Sequence, residues 1–195
     1  MSKIIEKETT DRVFISGSIA IKNINKLVID YIESIIEQEC SIFVGDSNGV
    51  DRLIQQILID RDYKNIKVYC TGNYPRNNIG KWEIVSVYTS HKPNTRLYFT
   101  VKDLEMTKHC DYGFMVWDLK SVGTLSNVYE LVKREKMSVV FVDEFKKFFT
   151  VSSLLEFKNL VAMMSRSDFN KADKKIQLKE KMDSNKFQQL FYFLK

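Results

Sequence analysis

The segment Ile42-Phe43-Val44-Gly45-Asp46-Ser47-Asn48-Gly49-Val50-Asp51-Arg52-Leu53 decides the fold class of this chain. A short apolar run ends at a glycine, a polar turn with two carboxylates follows, and a helical pattern begins at Val50. This order is typical of an α/β sheet, where ligands bind at the carboxyl ends of strands beside helix N-termini. The segment therefore predicts one crossover of a parallel sheet, with its polar turn on the edge that binds ligands.

Two further strand-to-helix turns carry small residues in the same way. The apolar run 12–16 closes with Gly17 and Ser18, and the apolar run 111–117 leads into Asp118-Leu119-Lys120-Ser121-Val122-Gly123-Thr124. Parallel strands bring such turns to one edge of the sheet. Three of them at one edge predict a pocket for a phosphate or a nucleotide, whereas one alone would indicate little.

The main part of the chain alternates strands with helices. The predicted strands are 12–16, 41–44, 66–70, 111–117 and 138–142, and the predicted helices are 24–36, 50–62, 96–109 and 124–136, the first of them capped by Asn23. Residues 71–95 are broken by glycine and proline, and 82–88 fit a strand, a short helix or a packed loop. The alternation predicts an α/β fold with a doubly wound, mostly parallel sheet of about five strands.

The pattern changes after Asp143, where helices are predicted at 152–165 and 184–194. The Lys- and Asp-rich stretch between them is either a linker or a further helix. We therefore predict an α/β domain over 12–143 and a helical C-terminal extension over 144–195. The extension ends in an aromatic cluster too apolar to remain in water, so it is expected to pack on the core or on a second subunit. The cluster consists of Phe187, Phe191, Tyr192 and Phe193.

Composition narrows the function classes. The 195 residues are 44% hydrophobic and 28% charged, with a net charge of +5, as in a globular protein with a real core. Lysine is concentrated in 146–195 rather than along the main body, so nucleic acid is not an expected partner. Residues 1–11 lack an apolar leader, and no apolar run approaches about 18 residues. These features predict a cytoplasmic protein without a membrane partner.

Cysteine and histidine offer no clear chemistry. Cys40, Cys70 and Cys110 are widely spaced and odd in number, which predicts buried, reduced thiols. Without a CxxC pair or a His/Cys cluster, no metal site is expected. His91 and His109 are the only histidines, and no Ser/His/Asp or Cys/His set can be assembled from them.

The first two turns each have a functional and a structural interpretation. Gly17 would let the backbone approach an anion, and Ser18 would offer it a hydroxyl and an amide, unless the pair is an ordinary turn. In the second turn, Asp46 and Asp51 are candidates for holding ribose hydroxyls or for acid/base catalysis, and Asn48 for binding a base or sugar. The structural alternatives are that Asp51 caps its helix and Asp46 stabilises the turn. Gly45 and Gly49 frame this turn and complete its predicted lining.

The third turn is the predicted phosphate site. Ser121, Gly123 and Thr124 begin a helix, where unpaired amides and the positive end of the dipole favour an anion. Its structural alternative is a capped helix with no ligand. Trp117, at the end of the preceding strand, would stack on a base or belong to the core.

These motifs together resemble the SLOG superfamily, in its YspA/YpsA-related branch, from Val13 to about Val142. The resemblance rests on Ile15-Ser16-Gly17-Ser18, on 44–51, on Lys102-Asp103-Leu104-Glu105-Met106 followed by Cys110-Asp111-Tyr112-Gly113, and on 117–127. It implies a Rossmann-like fold that binds nucleotides or nucleotide-derived ligands. In some phage-defence members these ligands are signals related to NAD and ADP-ribose.

The resemblance also implies an enzymatic relative, the LOG phosphoribohydrolases, which release a base from a nucleoside monophosphate. Those enzymes carry an Arg-Lys pair where this chain has Lys102-Asp103, and a glutamate where it has Asn127. A neutral amide cannot act as a carboxylate base or stabilise a developing oxocarbenium ion by its charge. The departure counts against hydrolysis of that type, and Asn127 is retained only as a ligand-binding residue.

Three hypotheses follow for the function. The favoured one is a nucleotide-binding module, a sensor or metabolite binder, with no required cofactor. The alternative is a nucleotide N-glycoside hydrolase or deoxyribosyltransferase-like enzyme that uses Asp46 or Asp51 as its carboxylate. The third is a scaffold with a vestigial pocket, assembled through its C-terminal helices. A homo-oligomer is expected by analogy with relatives.

Overall fold

Seven strands form one sheet in the computed structural model, which describes residues 10–183. They are β1 (Arg12–Gly17), β2 (Ser41–Gly45), β3 (Ile66–Thr71), β4 (Glu83–Val87), β5 (Tyr112–Trp117), β6 (Ser138–Val142) and β7 (Lys147–Val151). Their order is β4-β3-β2-β1-β5-β6-β7, and every neighbouring pair is parallel except β6 with β7. The predicted α/β, Rossmann-like doubly wound class is confirmed, with seven strands in place of about five.

The central strands read as continuous apolar runs because helices cover both faces of the sheet. Val13, Ile15 and Val44 are buried on one face under α1 (Lys26–Glu37) and α2 (Val50–Asp60). The opposite face carries α3 (Arg96–His109) and α4 (Val122–Lys133). Asn25, rather than the predicted Asn23, caps α1, since its side chain accepts a hydrogen bond from the amide of Leu27.

The two additional strands lie at the edges of the sheet. β4 pairs with β3, so the open choice for 82–88 resolves to a strand, and its residues are exposed or half-buried. β7 follows β6 through a short turn and runs antiparallel to it. Its side chains are mostly exposed, and its sequence lacks the continuous apolar run by which the inner strands were predicted.

The C-terminal part of the described chain completes the core. It contains α5 (Leu154–Val161), α6 (Arg166–Ile176) and α7 (Leu178–Lys181), so the Lys- and Asp-rich stretch is helical. Buried residues of these helices join the same apolar cluster as Trp117 and Tyr129; they are Phe157, Leu160, Val161, Ala172, Ile176 and Leu178. The helix predicted at 184–194 lies outside the described residues.

The structure also describes the three cysteines and the length and polarity of the helices. Cys40, Cys70 and Cys110 are buried and free, as predicted. Within residues 10–183, no helix has both the length and the apolar character needed to cross a bilayer.

Candidate functional site

A cavity of about 400 Å³ opens at the carboxyl ends of β1 and β5, and we call it the cleft. Strands β2, β3 and β4 follow one another on one side of β1, and β5 pairs with the other side of β1. The turns after β1 and β5 therefore lead to helices on opposite faces and leave a crevice between them. In open α/β sheets this switch in strand order is where ligands bind.

Three turns that the sequence singled out do meet at this edge. The cleft is lined by Gly17 from the first turn, by Asp51 from the second and by Ser121, Gly123 and Thr124 from the third. Asn127, from the second turn of α4, also lines it. The remaining predicted site residues lie outside the lining; they are Ser18, Gly45, Asp46, Asn48, Gly49 and Trp117.

A cluster of buried charges lies at one end of the cleft. Lys102, on α3, is almost fully buried, with its Nζ 2.7 Å from Asp103 Oδ1 and 3.7 Å from Asp46 Oδ1. Burial lowers the pKa of Lys102, but the three carboxylates of Asp103, Asp51 and Asp46 outweigh it, so this pKa lies above its usual value. The ammonium is therefore charged.

Gly45 makes room for this cluster. A Cβ at this position would lie 2.4 Å from Asp51 Oδ2 and 2.6 Å from Lys102 Nζ, distances that no real Cβ tolerates. Its backbone carbonyl accepts a hydrogen bond from Gln55 Nε2 at 3.0 Å. Gly45 thus leaves space for the side chains of Asp51 and Lys102, and it does not itself line the cleft.

Asp46 serves the protein's own structure. Arg76 binds its carboxylate through Nη2 at 2.7 Å, Nε at 3.1 Å and the backbone amide at 3.0 Å. Burial raises the pKa of Asp46, but the Arg76 hydrogen bonds and the charge of Lys102 outweigh it and hold this pKa below its usual value. Asp46 does not line the cleft, and Arg76 binds both of its carboxylate oxygens, so its role towards a ligand stays a prediction.

Asp51 lines the cleft, and its carboxyl group is almost fully buried. Its Oδ2 accepts a hydrogen bond from the amide of Ser47 at 3.3 Å, and its buried Oδ1 has no hydrogen-bond partner. Burial raises the pKa of Asp51 to about 6, against the opposing charge of Lys102. The structural alternative is also wrong, since Gly49 is the N-cap of α2 and no side chain caps it. A carboxyl group with such a pKa in a cleft is a candidate acid or base.

The third turn is held by Asp118. Its Oδ1 accepts hydrogen bonds from the amides of Ser121 at 2.7 Å and Lys120 at 3.0 Å, and from Ser18 Oγ at 2.8 Å. Ser18 is fully buried, so its hydroxyl joins two turns and does not reach a ligand. Ser121 caps α4, since its Oγ accepts a hydrogen bond from the amide of Thr124 at 3.4 Å.

The first turn of α4 is left open to the cleft by Gly123. A Cβ added there would meet no atom closer than Ser121 Oγ at 4.0 Å, and the backbone has an ordinary φ. Gly17, by contrast, is required by packing, because its Cβ would lie 2.5 Å from the carbonyl oxygen of Val116. The amides of Val122 and Gly123 are the first two of the helix, so they have no acceptor within it.

Five cations line the cleft, and they fall into two groups. Arg76 and Lys102 are ion-paired with the carboxylates described above. Arg96, Lys120 and Lys175 form no ion pair with any carboxylate among residues 10–183. The sequence reading missed this second group, because these residues come from three segments with no motif in common.

The remaining predicted contact residues lie outside the cleft lining. Trp117 is fully buried and donates its Nε1 hydrogen to the carbonyl of Ser121, so it cannot stack on a ligand. Asn48 Oδ1 accepts a hydrogen bond from Asn77 Nδ2 at 3.0 Å. Gly49 has a φ of 74° and packs against the backbone of Ile19. Phe99, missed from the sequence, is the aromatic residue of the lining, and the guanidinium of Arg76 lies 4.1 Å from its ring centre.

The lining of the cleft thus combines the first turn of α4, three cations without an ion pair among residues 10–183 and the carboxyl groups of Asp51 and Asp103. Among the described residues, no three His, Cys, Asp or Glu side chains are arranged to hold a metal ion. Comparison of the chain with protein-family models, with curated proteins and with solved structures gave no match.

Proposed function

We propose that this protein binds a phosphate-bearing small molecule of the nucleotide class in the cleft. The observation that carries the proposal is the open N-terminus of α4, whose first amides lie at a cleft with three cations that form no ion pair within residues 10–183. Gly123 adds to it, since a glycine in a helix costs stability and neither packing nor φ requires one here. The resemblance to the SLOG superfamily supports the same class of ligand.

The cleft also suggests how such a molecule would be oriented. The phosphate would accept hydrogen bonds from the amides of Val122 and Gly123 and from the hydroxyl of Thr124, with Lys120 nearby. The sugar would lie towards Asp51, and a local rearrangement that exposes its buried Oδ1 would let that oxygen accept a hydrogen bond from a sugar hydroxyl group. A volume of about 400 Å³ is at the small end of ligand pockets and favours a mononucleotide over a dinucleotide.

Thermal denaturation with a panel of ligands tests the proposal. We expect a higher melting temperature with nucleoside mono-, di- or triphosphates, with NAD or with ADP-ribose, because a ligand that binds only the folded state stabilises it. Sodium chloride at matched ionic strength controls for screening, and the free nucleosides control for the phosphate. A panel without any shift would overturn the proposal.

A second candidate function, cleavage of an N-glycosidic bond, is favoured by Asp51. With a pKa of about 6, its carboxyl group can donate a proton to a departing base while water or an acceptor adds to the sugar carbon. Free base released from a nucleotide, measured by chromatography and abolished in Asp51→Asn, would establish this activity. If none of the panel releases a base, the binding function stands alone.

A further inference from the structure

We propose that α6 of the C-terminal segment forms one side of the ligand site and that Lys175 is a ligand-binding residue. The inference rests on the proposed function and extends it, because it makes binding depend on a segment outside the region of SLOG resemblance. Lys175 lines the cleft, lies in the last turn of α6 and forms no ion pair among residues 10–183. The chemical group that we assign to it is a phosphate.

One hydrogen bond holds this end of α6 at the cleft. Arg96 Nη1, at the first residue of α3, donates to the backbone carbonyl of Lys175 at 3.1 Å. The last carbonyls of a helix have no partner within it, so this contact satisfies a group that would otherwise need water. It also joins α3 to the last turn of α6, the two helices that supply Arg96 and Lys175 to the cleft lining.

The core holds α6 in place beside the cleft. Ala172 and Ile176 of this helix are buried in the apolar cluster that contains Trp117 and Tyr129. Lys175 precedes Ile176 directly, so the packing of the last turn of α6 fixes the backbone position of Lys175 at the cleft.

This arrangement couples ligand binding to the docking of α6. A phosphate beside Lys175 gains a charge-assisted contact only while α6 is docked against the cleft. A phosphate-bearing molecule then has a higher affinity for the state in which α6 is docked, and its binding stabilises that state. We expect α6 to open more often without a ligand than with one.

The test uses the full chain with AMP and inorganic phosphate as probes, and compares Lys175→Gln with Lys174→Gln. The control removes the same charge from the neighbouring residue of the same helix, which does not line the cleft. In Lys175→Gln we expect the affinity for AMP to fall about five- to tenfold, the loss of one charge-assisted contact to a phosphate. In Lys174→Gln it should stay within about twofold of the original, because distant surface charges are screened.

Hydrogen exchange supplies the second readout. In the original chain, AMP should slow the exchange of amides in residues 166–176, and Lys175→Gln should lose this protection while Lys174→Gln keeps it. Equal affinities of the two variants, or unchanged exchange of α6 on binding, would overturn the inference and leave the proposed function intact. Failure of the original chain to bind either probe or any panel member would overturn both.

Discussion

Four glycines of the predicted site show that one residue type serves different physical purposes. Gly17 and Gly45 are required because a side chain would collide with the carbonyl of Val116 or with the charges around Lys102. Gly49 has the positive φ that glycine adopts without strain. Gly123 alone has neither reason, and the proposed approach of a phosphate to the α4 N-terminus would supply one.

This difference predicts opposite effects of two alanine substitutions. Gly123→Ala should raise the free energy of unfolding by up to about 0.5–1 kcal/mol, because alanine is the better helix former, and should weaken binding of phosphate-bearing ligands. Gly17→Ala should lower the free energy of unfolding by about 1–3 kcal/mol, because the added methyl group overpacks the core. Urea denaturation and ligand titration measure both effects. A Gly123→Ala variant that binds as well as the original would show that the α4 N-terminus is not the phosphate site.

The buried carboxyl group of Asp51 predicts a specific pH dependence. Its pKa rises from 3.8 to about 6 on folding, so the folded state holds the proton more tightly than the unfolded state. The contribution of Asp51 to stability therefore decreases as the pH rises from about 4 to about 6, by about 2–3 kcal/mol. Other carboxyl groups titrate in this range, so the difference between the original chain and Asp51→Asn isolates the effect. From about pH 4 to about pH 6, the free energy of unfolding of Asp51→Asn should increase relative to that of the original chain. A constant difference would contradict the raised pKa of Asp51.

At the scale of elements, the site depends on how the turn before α4 is held. Asp118 receives two backbone amides of its own turn and the hydroxyl of Ser18 from the turn after β1. It thereby joins the two strand ends that border the cleft. The position of the α4 N-terminus is thus set by a carboxylate that does not line the cleft.

Asp118→Ala should therefore reduce both stability and binding. The loss of three hydrogen bonds to one carboxylate predicts a decrease of about 2 kcal/mol in the free energy of unfolding, together with weaker binding of nucleotides. Asp143→Ala is the matched control, because that carboxylate forms a surface ion pair with Lys146 that is worth at most about 1 kcal/mol. Equal effects of the two substitutions, measured by denaturation and titration, would argue against this role of Asp118.

At the scale of the whole molecule, the C-terminal segment completes the apolar core. Phe157 packs against the ring of Tyr129 on α4, with the ring centres 5.4 Å apart, and β7 adds a strand to the sheet. The division into a domain at 12–143 and an extension therefore does not coincide with a boundary between two cores. Residues 144–183 belong to the packing of the domain itself.

A chain that ends at Asp143 should accordingly lose cooperative folding. Its truncation would expose the face of α4 that α5 and α6 cover, and would leave β6 as an unpaired edge. We expect no cooperative thermal transition by circular dichroism, whereas a chain that ends at Asp183 keeps every described contact and should unfold cooperatively. Cooperative unfolding of the shorter chain would show that the α/β part is independent.

The fold class and the location of the site follow from local patterns in the chain. Apolar runs that end in small residues before helical patterns define parallel crossovers, and parallel crossovers place their turns at one edge. For this reason Gly17, Asp51, Ser121, Gly123 and Thr124 could be brought together without coordinates. The segment of β4 stayed open between a strand, a short helix and a packed loop, and β7 was not predicted, because these edge strands lack the continuous apolar run of the inner strands.

The partners of each charge, by contrast, were decided only by packing. Arg76 meets Asp46 across 30 positions of the chain, and Arg96 meets Lys175 across 79, distances over which no local pattern carries information. The first contact engages the carboxylate of Asp46, which does not line the cleft, whereas Asp51 lines it. Burial likewise assigned Trp117 to the core. The reason is that a side chain's access to a ligand depends on what neighbouring elements cover, and that depends on the assembled fold.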